Sequence, residues 1–211
     1  RRGMAMYVQR ENGFGLAKPA LKFWLLGVAL ASLSLFMVIF SGALEIQTWQ
    51  YWARYTARLS FAIFLITYLT APLYQLYKTS FTSFLRRNRR NSGISFALAH
   101  TIHLAALAIY LSLRSEPVSM VTVIVGGGAY VAMFAMWASS SDAAIRWLGQ
   151  TRWRRLHKFG LHYLAFVFVF TYSSGQFGPE PAPIILPILI WLAIMLRIVM
   201  FLMQFRRGIQ A

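Results

Sequence analysis

The stretch GISFALAHTIHLAALAIYLSL, residues 93–113, decides the class of fold. It contains no Asp, Glu, Lys or Arg. Its length matches the roughly 20 residues that an α-helix needs to cross a hydrocarbon core about 30 Å thick. Five more apolar runs share this character: 23–43, 59–77, 118–138, 156–172 and 184–205. Run 156–172 is short and takes residues 153–155 as an interfacial first turn. Pro72 lies late in run 59–77 and is expected to kink it near its end. The Pro-rich connection 178–183 marks a turn before the last span. The expected fold class is an all-α integral membrane protein, a six-transmembrane-helix bundle forming one membrane domain over residues 1–211. Run 23–43 follows a basic stretch but is long enough to span, so it reads as a retained helix rather than a cleaved leader. No length remains for a soluble flavin or nicotinamide domain.

Only 12% of the residues are charged, against about a quarter in a soluble domain. Even so, the net charge is +16, which in a soluble protein would suggest nucleic acid. The placement of the charges argues otherwise. Basic residues crowd the N-terminal segment (Arg1, Arg2, Arg10, Lys18, Lys22), the second connection (Lys78, Arg86, Arg87, Arg89, Arg90), the fourth (Arg146, Arg152, Arg154, Arg155, Lys158) and the C-terminus (Arg206, Arg207). The odd connections hold Arg54, Arg58 and Arg114 beside Glu45, Glu116 and Glu180. Cytoplasmic loops carry the Lys/Arg excess, so both termini and the even connections are expected inside, and nucleic-acid binding falls away. Trp49, Tyr51, Trp52 and Tyr55 read as an aromatic belt in the first connection, with Trp147 and Trp153 as inner anchors. The absence of cysteine excludes thiolate metal sites and iron–sulfur clusters.

The four histidines carry the chemistry. His100 and His103 lie in the third run, and His157 and His162 lie in or at the fifth. Ionisable side chains inside a bilayer are costly and normally face a cavity, a partner or a cofactor, and neutral imidazole is a common axial ligand of haem iron. Interhelical hydrogen bonding is the competing use of each histidine. His100 and His103, three residues apart, share a helix face; His157 and His162 differ by about 7.5 Å in depth and roughly 140° around the helix. Counting from Arg90 and Arg155 puts His100 and His162 at the most similar depth. Arg58 is either an interfacial arginine or a partner for a carboxylate such as a haem propionate. Arg197, inside the sixth run, reads as a snorkelling side chain. Gly126–Gly128 favours close helix packing, with Gly128 and Ala132 as a small-xxx-small pair. No paired catalytic carboxylates and no phosphate-binding glycine loop are present, so no catalytic residue is assigned.

Ordered motifs run through residues 56–172: Thr56-Ala57-Arg58, Ala71-Pro72, Leu85-Arg86-Arg87-Asn88-Arg89-Arg90, His103-Leu104, Leu148-Gly149 and Trp153-Arg154-Arg155-Leu156-His157. This core resembles the ferric-reductase-like transmembrane family, and within it the haem-binding membrane subunits of bacterial methionine sulfoxide reductase systems (MsrQ-like). The resemblance implies b-type haem, one or two per chain, ligated by histidines of the third and fifth spans. Carried over, His103 matches the third-span ligand and His157 the first fifth-span ligand. The family's second fifth-span histidine falls at Phe170 here; His162 or His100 is then the candidate to complete the ligand set.

The expected function is membrane electron transfer through haem, as a subunit of an oxidoreductase system in a bacterial cytoplasmic (inner) membrane. Electrons would come from a separate flavin reductase or from quinol, with quinone or flavin supplied by a partner, and would pass to an outer acceptor such as a periplasmic reductase. The competing reading is a cofactor-free transporter or assembly subunit whose histidines relay protons or pack. Membrane lipid is a partner in either case.

Overall fold

A computed structural model describes residues 46–174 and 182–209. They form seven helices: α1 (Ile46–Leu76), α2 (Ser80–Arg87), α3 (Arg89–Leu113), α4 (Met120–Ala138), α5 (Asp142–Leu148), α6 (Gln150–Ser174) and α7 (Ile185–Ile209). No strand occurs among the described residues. Four helices are long and apolar enough to cross a membrane: α1, α3, α4 and α7. Run 23–43 lies outside the described residues. Run 156–172 sits within α6, whose 25 residues reach about 37 Å. Arg152, Arg154, Arg155, His157, Lys158 and His162 dilute its apolarity, and it is not among the four.

The aromatic cluster of the first connection is not in a loop. α1 begins at Ile46 rather than at residue 59, so Trp49, Tyr51, Trp52 and Tyr55 occupy its first turns. No Gly or Pro interrupts the chain before Pro72, and the extension is stabilised by burial: Trp52 and Ala53 pack with Ala106 of α3. Tyr51 and Tyr55 face outward. The connections also contain structure. α2 opens with a reciprocal capping box between Thr79 and Thr82, and α5 is N-capped by the Ser141 hydroxyl. The turn between α5 and α6 needs Gly149, whose φ of 77° side chains disfavour.

Cross-helix contacts set the register. Ala53 and Ser60 of α1 meet His103 and His100 of α3, so these helices are antiparallel. Phe64 and Phe61 of α1 meet Phe168 and Tyr172 of α6, which makes α3 and α6 parallel, as the charge pattern requires. Phe61, Phe64, Tyr68, Phe96, Met133 and Leu164 form the centre of the core.

α4 meets α6 at two glycines. A methyl group on Gly128 would lie 2.5 Å from the Tyr163 hydroxyl, which donates to the Val125 carbonyl at 3.1 Å. Gly160 takes the Met136 side chain in the same way. Gly126 and Gly127 have open space instead. Gly128→Ala should therefore lower the stability of the solubilised protein by about 1–3 kcal/mol through overpacking, whereas Gly126→Ala should leave it unchanged or slightly higher. Equal melting temperatures for the two variants would refute this packing.

Candidate cofactor site

The histidines fall into two groups. His100 is only 8% exposed, and its Nδ1 lies 2.9 Å from the Ser60 hydroxyl. Its ring stacks against Phe96 and Tyr130. His103 places Nδ1 3.0 Å from the Ala53 carbonyl and 3.4 Å from the Thr56 hydroxyl. Thr56 and Ser60 are four residues apart, one turn of α1, and so present one polar stripe to α3.

The second group lies toward the end of the bundle where α3 and α6 begin. His157 Nε2 is 3.0 Å from the Ser139 hydroxyl. The Ser139 hydroxyl also lies 2.7 Å from the Ala135 carbonyl and 3.1 Å from the Met136 carbonyl, and the direction of its bond to His157 follows the tautomer of the imidazole. Trp153 lies against the His157 ring with centroids 4.5 Å apart and donates its indole N–H to the Ser139 carbonyl. His162 holds Nδ1 3.4 Å from the Tyr68 hydroxyl. No hydrogen bond is made by its Nε2 among the described residues.

Using α1 as a ruler, Ser60 and Tyr68 separate the two groups by eight residues, about 12 Å. The residue of α6 beside His100 is Phe168, with ring centroids 5.9 Å apart. His162 lies six residues before it, about 9 Å away along the helix. The depth match between His100 and His162 read from residue counting does not hold, because the helices are offset in their starting levels. Nor does α6 bring a histidine level with His103. Phe170, where the motif resemblance would put a second ligand, is near that level and is 38% exposed.

A cavity of about 630 Å³ separates α3, α4 and α6 on this side, lined by both His157 and His162. Its apolar wall includes Phe64, Phe96, Met133, Met136, Trp137 and Leu164. Arg89, Arg90, Arg154, Lys158 and Arg197 line it as well, with no carboxylate among the lining residues. Arg90 pairs with Asp142 at 2.8 Å on the exposed side. His100, His103 and Arg58 are not part of the cavity. Arg58 sits over the Tyr55 ring at 5.6 Å, in the half of α1 near its N-terminus.

Arg197 does not simply reach for the interface. Its Nε and a terminal nitrogen donate to the Tyr68 carbonyl at 3.0 and 2.8 Å, and the guanidinium lies 4.1 Å over the Tyr68 ring. In an unbroken helix that carbonyl would accept from the N–H four residues later. That residue is Pro72, which has none. Sequence reading identified both residues without linking them; the available signal was a proline inside one span and a lone arginine inside another.

The residues around the cavity suit a flat, apolar macrocycle with carboxylates at one edge. Aromatic and aliphatic side chains form the wall, arginines and a lysine can pair with carboxylates, and two imidazoles offer ring nitrogens to iron. Comparison with known proteins gave no matching family model, no matching curated protein and no matching solved structure.

The Arg197 contact can be tested by a double-mutant cycle. Arg197→Met strands the Tyr68 carbonyl and should cost about 1–3 kcal/mol. In a Pro72→Ala background, where the helix N–H returns, the same substitution should cost clearly less. Equal costs in both backgrounds, measured by thermal unfolding in detergent, would show that Arg197 is not replacing the missing bond.

Proposed function

We propose that this chain is a b-type haem-binding electron-transfer protein of a bacterial cytoplasmic membrane, with haem in the cavity beside α6. The observation that supports this reading is that cavity: two imidazoles, an apolar wall and cations without carboxylates meet in about 630 Å³. This volume falls within the range of about 300–1,000 Å³ usual for cofactor pockets. His162 is the preferred ligand, since its Nε2 has no competing bond; His157 would have to use Nδ1. Arg89, Arg154, Lys158 and Arg197 would take the propionates. Haem would supply one-electron chemistry there, while the chain sets its orientation and surrounds it with apolar side chains. The motif resemblance noted above supports the same class of activity. The donor would be a separate flavin reductase or quinol, and the acceptor an outer reductase.

In the proposed topology six helices span, both termini are cytoplasmic, and the cavity lies on the cytoplasmic side. The absence of native cysteine makes this easy to check. In intact cells, Ser115→Cys should react with a membrane-impermeant thiol reagent, and Ser80→Cys should react only after permeabilisation. The reverse pattern would invert the topology.

A second reading follows from the hydrogen bonds: each histidine already has a protein partner, as packing histidines in a cofactor-free membrane protein would. An absorption spectrum separates the two. Protein made with ample haem should show a Soret band, and His162→Ala should lose most of it while Arg58→Ala retains it. A wild-type protein with no Soret band would eliminate the haem reading.

A further inference from the structure

The cations around the cavity are spread over depth. Arg197 and His162 both meet Tyr68 of α1, which puts them at one level. On α6, Arg154, Lys158 and His162 follow one another at intervals of four residues and all line the cavity, so they form one ridge of the helix. Lys158 lies about 6 Å, and Arg154 about 12 Å, nearer the start of α6 than His162. Phe168 of α6 lies against Phe96 of α3. Counting back along both helices from that contact, Arg89 and Lys158 fall within about one turn of each other in depth. Arg89, Arg154 and Lys158 therefore mark the mouth of the cavity, and Arg197 marks a deeper level.

Charge at this mouth is not balanced by the protein. Of the five Arg and Lys side chains in the lining, only Arg90 has an ion pair among the described residues, with Asp142. Arg89, Arg154, Lys158 and Arg197 keep their charge beside an apolar wall, where uncompensated charge is costly. The two propionates of a haem would answer two of these four charges and leave a surplus of two. Arg89, Arg154, Lys158 and His162 all remain exposed in the folded chain, so the cavity is open along this ridge rather than sealed by protein.

We propose that the mouth of the cavity holds the headgroup of an anionic phospholipid, drawn from the leaflet at that end of the bundle. Basic pockets between membrane helices bind such headgroups. Two observations favour a lipid over a soluble anion. The cationic ridge adjoins an aromatic one: Phe159 and Phe166, 66% and 53% exposed, lie about 40–60° round α6 from His162. A phosphate on the ridge would leave its acyl chains against those rings. Trp147, two residues beyond the lining residue Ile145, is 85% exposed, as an indole at headgroup level would be. A soluble phosphate would use the charges and neither of these features. The site goes beyond the haem reading and does not require it, since the lipid supplies counter-charge at the mouth while His162 and Arg197 lie deeper.

Native mass spectrometry can read the bound lipid on haem-free full-length protein, in detergent holding equal phosphatidylglycerol and phosphatidylcholine. Wild type should retain one phosphatidylglycerol per chain, with a preference of about tenfold over phosphatidylcholine. The double variant Arg154→Gln/Lys158→Gln should lose that preference. Arg87→Gln/Arg152→Gln removes the same charge from exposed positions outside the lining and should keep it. Millimolar inorganic phosphate should leave the lipid of wild type in place, a readout that needs no variant to fold. Equal retention of the two lipids, equal loss in both double variants, or displacement by phosphate would overturn the site. Loading wild type with haem should leave the lipid bound; release of one lipid per haem would give Arg154 and Lys158 to the propionates and overturn it too. Bound phosphatidylglycerol in a protein that never shows a Soret band would uphold this site while removing haem.

Discussion

The seam between α1 and α3 is the constraint on which the rest of the structure depends. Inside a bilayer, apolar side chains gain little by leaving lipid for protein, so helices associate through close packing and hydrogen bonds. α1 supplies small and hydroxyl residues, Ala53, Thr56 and Ser60, on the face that meets His100, His103 and Ala106. The imidazole bonds across this seam link the helices and also fix the orientation of both rings. A seam of leucines would bring the helices together without specifying where any nitrogen points.

The other half of the bundle answers a different problem, that of placing charge at depth. α6 is more polar than the four helices apolar enough to cross a membrane, yet Gly160, Leu164, Ala165, Phe168 and Tyr172 bury one face. Phe159, Phe166 and Phe170 cover the outer one. Its His157, Lys158 and His162 turn to the cavity. The helix is amphipathic around an internal space rather than toward bulk water, so an average over its length hides the pattern.

The elements that the sequence made legible were those set by local composition. The ends of α3 and α4 fall within a few residues of the apolar runs, because charge clusters and Ser119, which caps α4, coincide with them. The start of α1 did not follow this rule: Trp49 and Trp52 look interfacial in isolation, and only their contact with each other and with α3 shows them inside a helix. The separation of the histidines into two levels was equally hidden. It depends on the offset between α3 and α6, which neither helix encodes by itself. The residues that orient the imidazoles, Ser60 and Ser139, carry no motif; each is one hydroxyl among many until a neighbouring helix supplies its nitrogen.

The bond from Arg197 to the Tyr68 carbonyl joins residues 129 positions apart. When a chain is inserted helix by helix, α1 enters with the gap that Pro72 leaves in its backbone, and everything between α1 and α7 is made before the missing donor arrives. α7 therefore closes this gap late in time as well as from across the bundle. A nascent chain halted before residue 197 would hold an unsatisfied carbonyl at Tyr68, next to Thr67 of the cavity lining. The final packing of α1 thus waits on the synthesis of α7.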